Sequence, residues 1–126
     1  MTHSNATPLE AEAYEPVFTG ETLKRLDALS TKYPTRQALL LPALWLVQET
    51  RGWVSEAAMG EVGTVLGLTP AYVKGVVTFY TMYHTHPVGR HFIQVCTTSP
   101  CGLCGAEDTL QAILRESGCG ELGATS

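Results

Sequence analysis

The sequence predicts an α+β chain in which an N-terminal four-helix bundle is followed by a strand, a cysteine loop and a fifth helix. Three observations carry this. Between residues 19 and 80, apolar side chains recur at three- and four-residue intervals, the period of helices with a buried face. Ser, Thr, Pro and Gly punctuate these runs at short intervals. After His86-Pro-Val-Gly-Arg90 the period changes to two, with Ile93 and Val95 alternating against Phe92 and Gln94.

Each element follows in turn. Residues 1–18 are polar, contain Ala, Glu and Pro, and show no sustained periodicity, so they are expected to form a flexible tail. A first helix is expected from Thr19, with Leu23, Leu26 and Leu29 on one stripe, ending before Pro34. A second is expected from about Thr35 to Gly52, apolar almost all round and therefore the buried centre of this half, with a kink at Pro42. Ser55 should cap a third helix with Ala58, Val62, Val65 and Leu66 on its stripe and Gly67 as its stop. Thr69-Pro70 should open a fourth, burying Val73, Val76, Val77 and Tyr80, with a close neighbour as the reason for Gly75. Tyr72, Phe79, Tyr80 and Tyr83 are expected at the core and rim of that helix. The last helix should run from Gly105 to Gly118, with Ala106, Leu110, Ile113 and Leu114 inward and Glu107 and Asp108 at its start.

Composition narrows the function classes. The 126 residues carry twelve acidic against eight basic side chains, a net charge of -4. That is a poor match to a phosphate backbone, so nucleic acid is not an expected partner. The longest apolar run, Ala38 to Val47, contains Pro42 and falls well short of the roughly 20 residues of a membrane span. The N-terminal segment lacks the basic start and apolar centre of a secretory signal, which leads to the expectation of a cytoplasmic chain without direct membrane insertion. Cysteines in that compartment bind metal or do chemistry more often than they form structural disulfides.

Three of the four cysteines fall in Val95-Cys-Thr-Thr-Ser-Pro-Cys-Gly-Leu-Cys104, between the expected strand and the last helix. Cys101-Gly-Leu-Cys104 is a C-x-x-C on a strand-to-helix turn, the setting of a thiol-disulfide redox pair. Cys96, Cys101 and Cys104 also reproduce the first three ligands of a plant-type ferredoxin, with Cys119 available as a fourth, although the surrounding helices do not suit that mostly β fold. A third reading uses Cys96 and Cys101 alone. His84, His86 and His91 lack the second His or Cys pair that a zinc or Rieske-like site needs. No Gly-rich phosphate-cradling loop is present, so the chain is not expected to bind a nicotinamide nucleotide itself.

The third reading coincides with a resemblance. Lys32-Tyr-Pro34, Arg51-Gly-Trp-Val54, the stretch Thr69 to Tyr83 (TPAYVKGVVTFYTMY) and Pro87 to Cys101 (PVGRHFIQVCTTSPC) resemble, in order and spacing, the thioredoxin-like 2Fe-2S subunit family of respiratory complex I. This is the E-type, 24 kDa-type family of NADH:quinone oxidoreductase subunits, with similar subunits in NAD-linked hydrogenases and formate dehydrogenases. The resemblance covers residues 18 to 125. It implies a helical domain over 19–86 and the N-terminal part of a thioredoxin-like ferredoxin domain over 87–126. It further implies a 2Fe-2S cluster held by a C-x4-C pair and a later C-x3-C pair. Cys96 and Cys101 match the first pair; the second is absent from these 126 residues, so the sequence reads as a fragment or as a variant.

The function so implied is electron transfer in the NADH dehydrogenase module, with FMN and NADH on a partner subunit and the chain peripheral to the membrane through its complex. No independent catalytic residue is expected. Two other readings remain open: a thiol-disulfide oxidoreductase using Cys101 and Cys104, and a cluster-free adaptor docking on a flavoprotein.

Overall fold

The computed structural model describes residues 14–124, which divide into two compact units at Pro87/Val88. The first contains four α-helices, α1 (Gly20–Ser30), α2 (Leu40–Arg51), α3 (Glu56–Leu66) and α4 (Pro70–Phe79), with a 3-10 turn over Gln37–Leu39 before α2. Their starts follow the expected chemistry. The Ser55 hydroxyl accepts from the Ala58 amide at 3.2 Å and the Thr69 hydroxyl accepts from the Tyr72 amide at 3.3 Å, each satisfying one of the donors a helix start leaves unpaired. Gly67 ends α3 at φ 70°, a left-handed conformation that a Cβ would strain.

Leu40, Leu44, Val47, Val54, Val62, Val73 and Val77 are fully buried and form the centre of this unit. α2 supplies more of the core than any other helix, as its all-round apolar character predicts. Its expected kink is replaced by a different solution. The Thr35 hydroxyl accepts from the Ala38 amide at 3.1 Å, the chain makes the 3-10 turn, and the α-helix begins only at Leu40. Pro42 therefore falls in the first turn, where a missing amide proton breaks no hydrogen bond.

Tyr80, expected on the buried face of α4, lies just beyond the helix end and is exposed, as is Phe79. Tyr83 takes the interior position instead. Its hydroxyl donates to the Leu41 carbonyl at 2.9 Å, and burial, with Tyr80 nearby, pushes its pKa up to about 12. Gln48 completes the attachment of this turn to α2, donating to the Met82 carbonyl at 2.8 Å and accepting from the His84 amide at 2.7 Å.

The bundle description does not fit the α3–α4 pair. The chain turns through 119° between them, a corner, whereas bundle neighbours run within ~20° of antiparallel. The corner is tight because the Leu68 amide returns to the Gly63 carbonyl at 2.8 Å. A Cβ on Gly63 would sit 2.7 Å from the Leu68 carbonyl oxygen, while one on Gly75 would meet nothing within 4 Å. The close approach thus belongs to Gly63, and the neighbour expected at Gly75 is absent. Gly63→Ala is expected to destabilise the unit by about 1–3 kcal/mol. Gly75→Ala, on an exposed helix face, is expected to stabilise it by about 0.5–1 kcal/mol. Denaturant midpoints moving in opposite directions check the pair.

Residues 1–13 of the expected tail lie outside the described residues, but 14–18 are not tail-like. Val17 and Phe18 are buried against the helical core. They are held by Glu61 on α3, whose carboxylate accepts from the Val17 amide at 3.0 Å, the Phe18 amide at 2.8 Å and the Tyr14 hydroxyl. Burial, reinforced by that carboxylate, raises the Tyr14 pKa. Arg51 lies over the Tyr14 ring and donates to the Glu15 carbonyl. Two apolar residues are too short a run to register as periodicity, and their partner lies more than forty residues away.

In the second unit, the expected strand does not form. Residues 92–96 are irregular, and Ile93, Gln94 and Val95 make no backbone hydrogen bond to another described residue. Alternation is a local property, whereas a strand exists only through a ladder with a second segment. The described residues therefore form helices and no strand, in place of the α+β arrangement expected. Two helices follow, α5 (Ser99–Leu103) and α6 (Ala106–Ser117). Ala106 is buried, and Leu110, Ile113 and Leu114 are half-buried on the face predicted for them.

No single helix among the described residues is long and apolar enough to cross a membrane. The bent α3–α4 pair reaches that length and composition only when taken together, and it contributes Val62, Val73 and Val77 to the core.

Candidate functional site

The cysteine segment is organised by a short helix that was not among the expected elements. Thr98-Ser99-Pro100 carries the same start signal as Thr69-Pro70, a hydroxyl residue followed closely by proline, and α5 begins there. The Gly102 amide returns to the Thr98 carbonyl at 2.7 Å and the Cys104 amide to the Pro100 carbonyl at 3.2 Å. Gly105, at φ 93°, then reverses the backbone so that α6 starts directly after α5. Cys101 is thereby held on a helical turn, and Cys96 precedes it on the irregular segment.

All four cysteines are free thiols. Cys96, Cys101 and Cys104 line one open depression of about 380 Å³ with Gln94, Val95, Ala106, Thr109 and Ile113. Cys119 is not among its lining residues; it follows α6, with its amide donating to the Ser117 hydroxyl at 3.3 Å. Among the described residues no three His, Cys, Asp or Glu side chains are gathered so as to hold a metal ion. Cys96, Cys101 and Cys104, the joint ligands of the ferredoxin-like reading, share the depression without being gathered as a three-ligand group.

Among the three thiols that line the depression, Cys96 has a side-chain hydrogen-bond contact, and it is with Thr98. Thr98 Oγ1 lies 3.1 Å from Cys96 Sγ, and this contact takes the hydroxyl away from capping α5, which has no side-chain cap. Hydrogen bonding from the Thr98 side chain, then from its backbone, then from the Cys101 thiol, holds the Cys96 pKa below the ordinary thiol value. The interaction with Cys96 and some desolvation push Cys101 the other way. The Thr98 hydroxyl thus favours the thiolate form of Cys96. Thr98 is the site residue that the cysteine spacing does not reveal. Its signal is present in Cys-Thr-Thr-Ser-Pro, where a hydroxyl two residues after a thiol also stands at a helix start.

Comparison with known proteins bears on this segment directly. Over 97 residues the chain is 39% identical to the mitochondrial NADH dehydrogenase (ubiquinone) flavoprotein 2 of Dictyostelium discoideum, covering 75% of this chain and 39% of that one. It is 40% identical over 94 residues to the E-type NADH-quinone oxidoreductase subunit of Pseudomonas aeruginosa, covering 75% and 56%. It is 36% identical over 97 residues to NADH-quinone oxidoreductase subunit 2 of Thermus thermophilus, covering 75% and 54%. The chain thus spans about half the length, or less, of these curated relatives. The family model for thioredoxin-like 2Fe-2S ferredoxins matches residues 26–126, taking in three helices and part of α1 in the first unit and the whole cysteine segment in the second. With both the helical unit and the paired thiols inside one continuous match, the chain belongs to the thioredoxin-like 2Fe-2S ferredoxin family.

Proposed function

We infer that this chain is the iron-sulfur electron-transfer component of an NADH-quinone oxidoreductase-type complex, and that Cys96 and Cys101 are its cluster ligands. The observation that carries the reading is the placement of Cys96 and Cys101 on one depression, with Thr98 against Cys96, inside the family match. A 2Fe-2S cluster takes four thiolates, and these two thiols fit as the ligand pair of one iron. The group, once bound, supplies one-electron transfer at a potential set by hydrogen bonds and solvent around its sulfurs.

The chain's own residues have distinct tasks in this reading. Thr98 donates toward Cys96 and favours its ionised form. α5 holds Cys101 on a helical turn at the same depression as Cys96, so one proton lost from each thiol leaves two sulfur donors there. Ala106, Thr109 and Ile113 of α6 form the wall of the depression that limits water on that side. No side chain here needs to act as an acid, base or nucleophile toward a substrate. NADH and FMN belong to a partner subunit, to which the helical unit supplies much of the contact.

The test is reduction by NADH of a longer, cluster-loaded chain that carries the later C-x3-C pair, alone and with its flavin-carrying partner. Bleaching of the visible iron-sulfur absorbance is expected only with the partner present. Reduction of disulfides by the isolated chain, dependent on Cys104, would instead favour a thiol-disulfide oxidoreductase, since Cys101 and Cys104 line the same depression. A Cys96→Ser/Cys101→Ser double variant is expected to co-elute one-to-one with the flavoprotein in size-exclusion chromatography, as the wild type should. Loss of binding by a folded double variant would assign the interface to the cluster loop, and the adaptor role of the helices would be wrong.

A further inference from the structure

The turn that holds Cys101 also holds a thiol with no task in the electron-transfer reading. Cys104 lies three residues on, exposed, at the same depression as Cys101. Its amide donates to the Pro100 carbonyl at 3.2 Å and to the Cys101 carbonyl at 3.1 Å, so the end of α5 is tightened toward 3-10 geometry. Residues three apart on an α-helix have Cβ atoms about 5–6 Å apart, and a disulfide holds them at roughly 3.5–4.5 Å. A 3-10 turn eclipses such a pair and narrows the gap. Cys96 shares no such turn with either thiol; it precedes α5 on the irregular segment, with Thr98 Oγ1 3.1 Å from its sulfur. We propose that Cys101 and Cys104 form a reversible disulfide that withholds Cys101 from iron, so that the chain takes up a cluster only when this pair is reduced. The effect on uptake rests on Cys101 being a ligand; the disulfide does not.

Cys104 stands at the end of α5, directly before the backbone reversal at Gly105, so its side chain turns toward Cys101 without breaking a longer helix. The oxidant is a small disulfide of the glutathione class. One sulfur of the pair attacks it, forming a mixed disulfide and expelling one thiol. The other sulfur then attacks the protein-bound sulfur, closing the Cys101–Cys104 bond and expelling the second thiol. Two protein thiols lose two electrons and two protons, and one small disulfide gains them as two thiols. The second attack is intramolecular, so the pair is oxidised under conditions in which a single thiol stays reduced. A dithiol reverses both steps. Iron takes a thiolate as its ligand, so the oxidised chain offers only Cys96 from this ligand pair.

The experiment equilibrates the cluster-free 126-residue chain in glutathione buffers of falling reduced-to-oxidised ratio, alkylates the remaining thiols and maps the cysteines by peptide mass spectrometry. Cleavage between Leu103 and Cys104 should leave two peptides joined until a dithiol is added, with Cys96 and Cys119 alkylated. Cys96→Ser should form the same bond at the same ratio. In Cys104→Ser, oxidised Cys101 should be roughly tenfold less abundant at that ratio. A bond from Cys96 to either thiol, or a Cys101 and Cys104 that stay alkylated at every ratio, overturns the proposal. The second arm uses a longer chain carrying the later C-x3-C pair, oxidised in the same buffer before iron and sulfide are supplied. There the wild type should load roughly tenfold less iron than Cys104→Ser, and a dithiol should remove the difference. Equal loading despite the mapped bond overturns the control of uptake and, with it, Cys101 as a ligand. Normal loading without the bond overturns the disulfide and leaves the electron-transfer reading standing.

Discussion

Serine in place of Cys96 or Cys101 is expected to reduce iron, acid-labile sulfide and visible absorbance to background, while serine at Cys104 or Cys119 leaves all three near the wild-type level. The measurement is best made with two further thiolates available, as in a longer chain carrying the C-x3-C pair that the family resemblance implies. A serine hydroxyl has a far higher pKa than a thiol and is a harder donor, so it does not replace a thiolate on iron. In the proposed reading the four positions differ because Cys96 and Cys101 match the first ligand pair that the family resemblance implies, whereas Cys104 caps the end of α5 and Cys119 lies beyond α6. Thr98 grades the same result. Thr98→Val removes the hydroxyl from Cys96 Sγ without removing a ligand, and cluster affinity should fall about 10–100-fold. Thr98→Ser should restore it. Equal loss of iron in the Cys104 and Cys96 variants would move the assignment to a ferredoxin-like ligand set.

Glu61→Ala is expected to cost the helical unit about 2–4 kcal/mol, because it leaves two backbone amides and the Tyr14 hydroxyl without their acceptor beside a buried pair of apolar residues. At ~4–8 °C per kcal/mol for a domain of this size, the thermal midpoint should fall by roughly 10 °C or more. Glu61→Gln keeps one carbonyl oxygen and should lose substantially less. Hydrogen exchange at Val17 and Phe18 should accelerate before that of α2, since only the 14–18 segment depends on this carboxylate. Unchanged exchange at those two amides in the alanine variant would show that apolar packing alone holds the segment.

Much of the helical unit is legible in the sequence because its signals are local. A hydroxyl at Ser55 or Thr69 caps the helix that begins beside it, and Gly67 stops one in place, whatever the rest of the chain does. The recurrence of Val62, Val73 and Val77 likewise names part of the core from spacing alone. The spacing of Cys96 and Cys101 is legible as a motif, and the family match supplies its context.

What the sequence does not contain is where distant segments meet. Glu61 reads as one more charge on a helix until residues 14–18 fold across it, because hydrogen-bond acceptors carry no address in the sequence. Gly63 and Gly75 look equivalent along the chain, and only the return of Leu68 toward α3 makes one indispensable and the other replaceable. Ile93 and Val95 have the alternation of a strand, but pairing needs a second segment in register, which local pattern cannot supply. By itself, then, the sequence determined the four helices of the first unit and α6, the caps at Ser55 and Thr69, most of the core and the cysteine motif. Tertiary structure alone decided that Thr98 serves a thiol in place of a helix cap, because that outcome depends on how α5 folds back after Cys96.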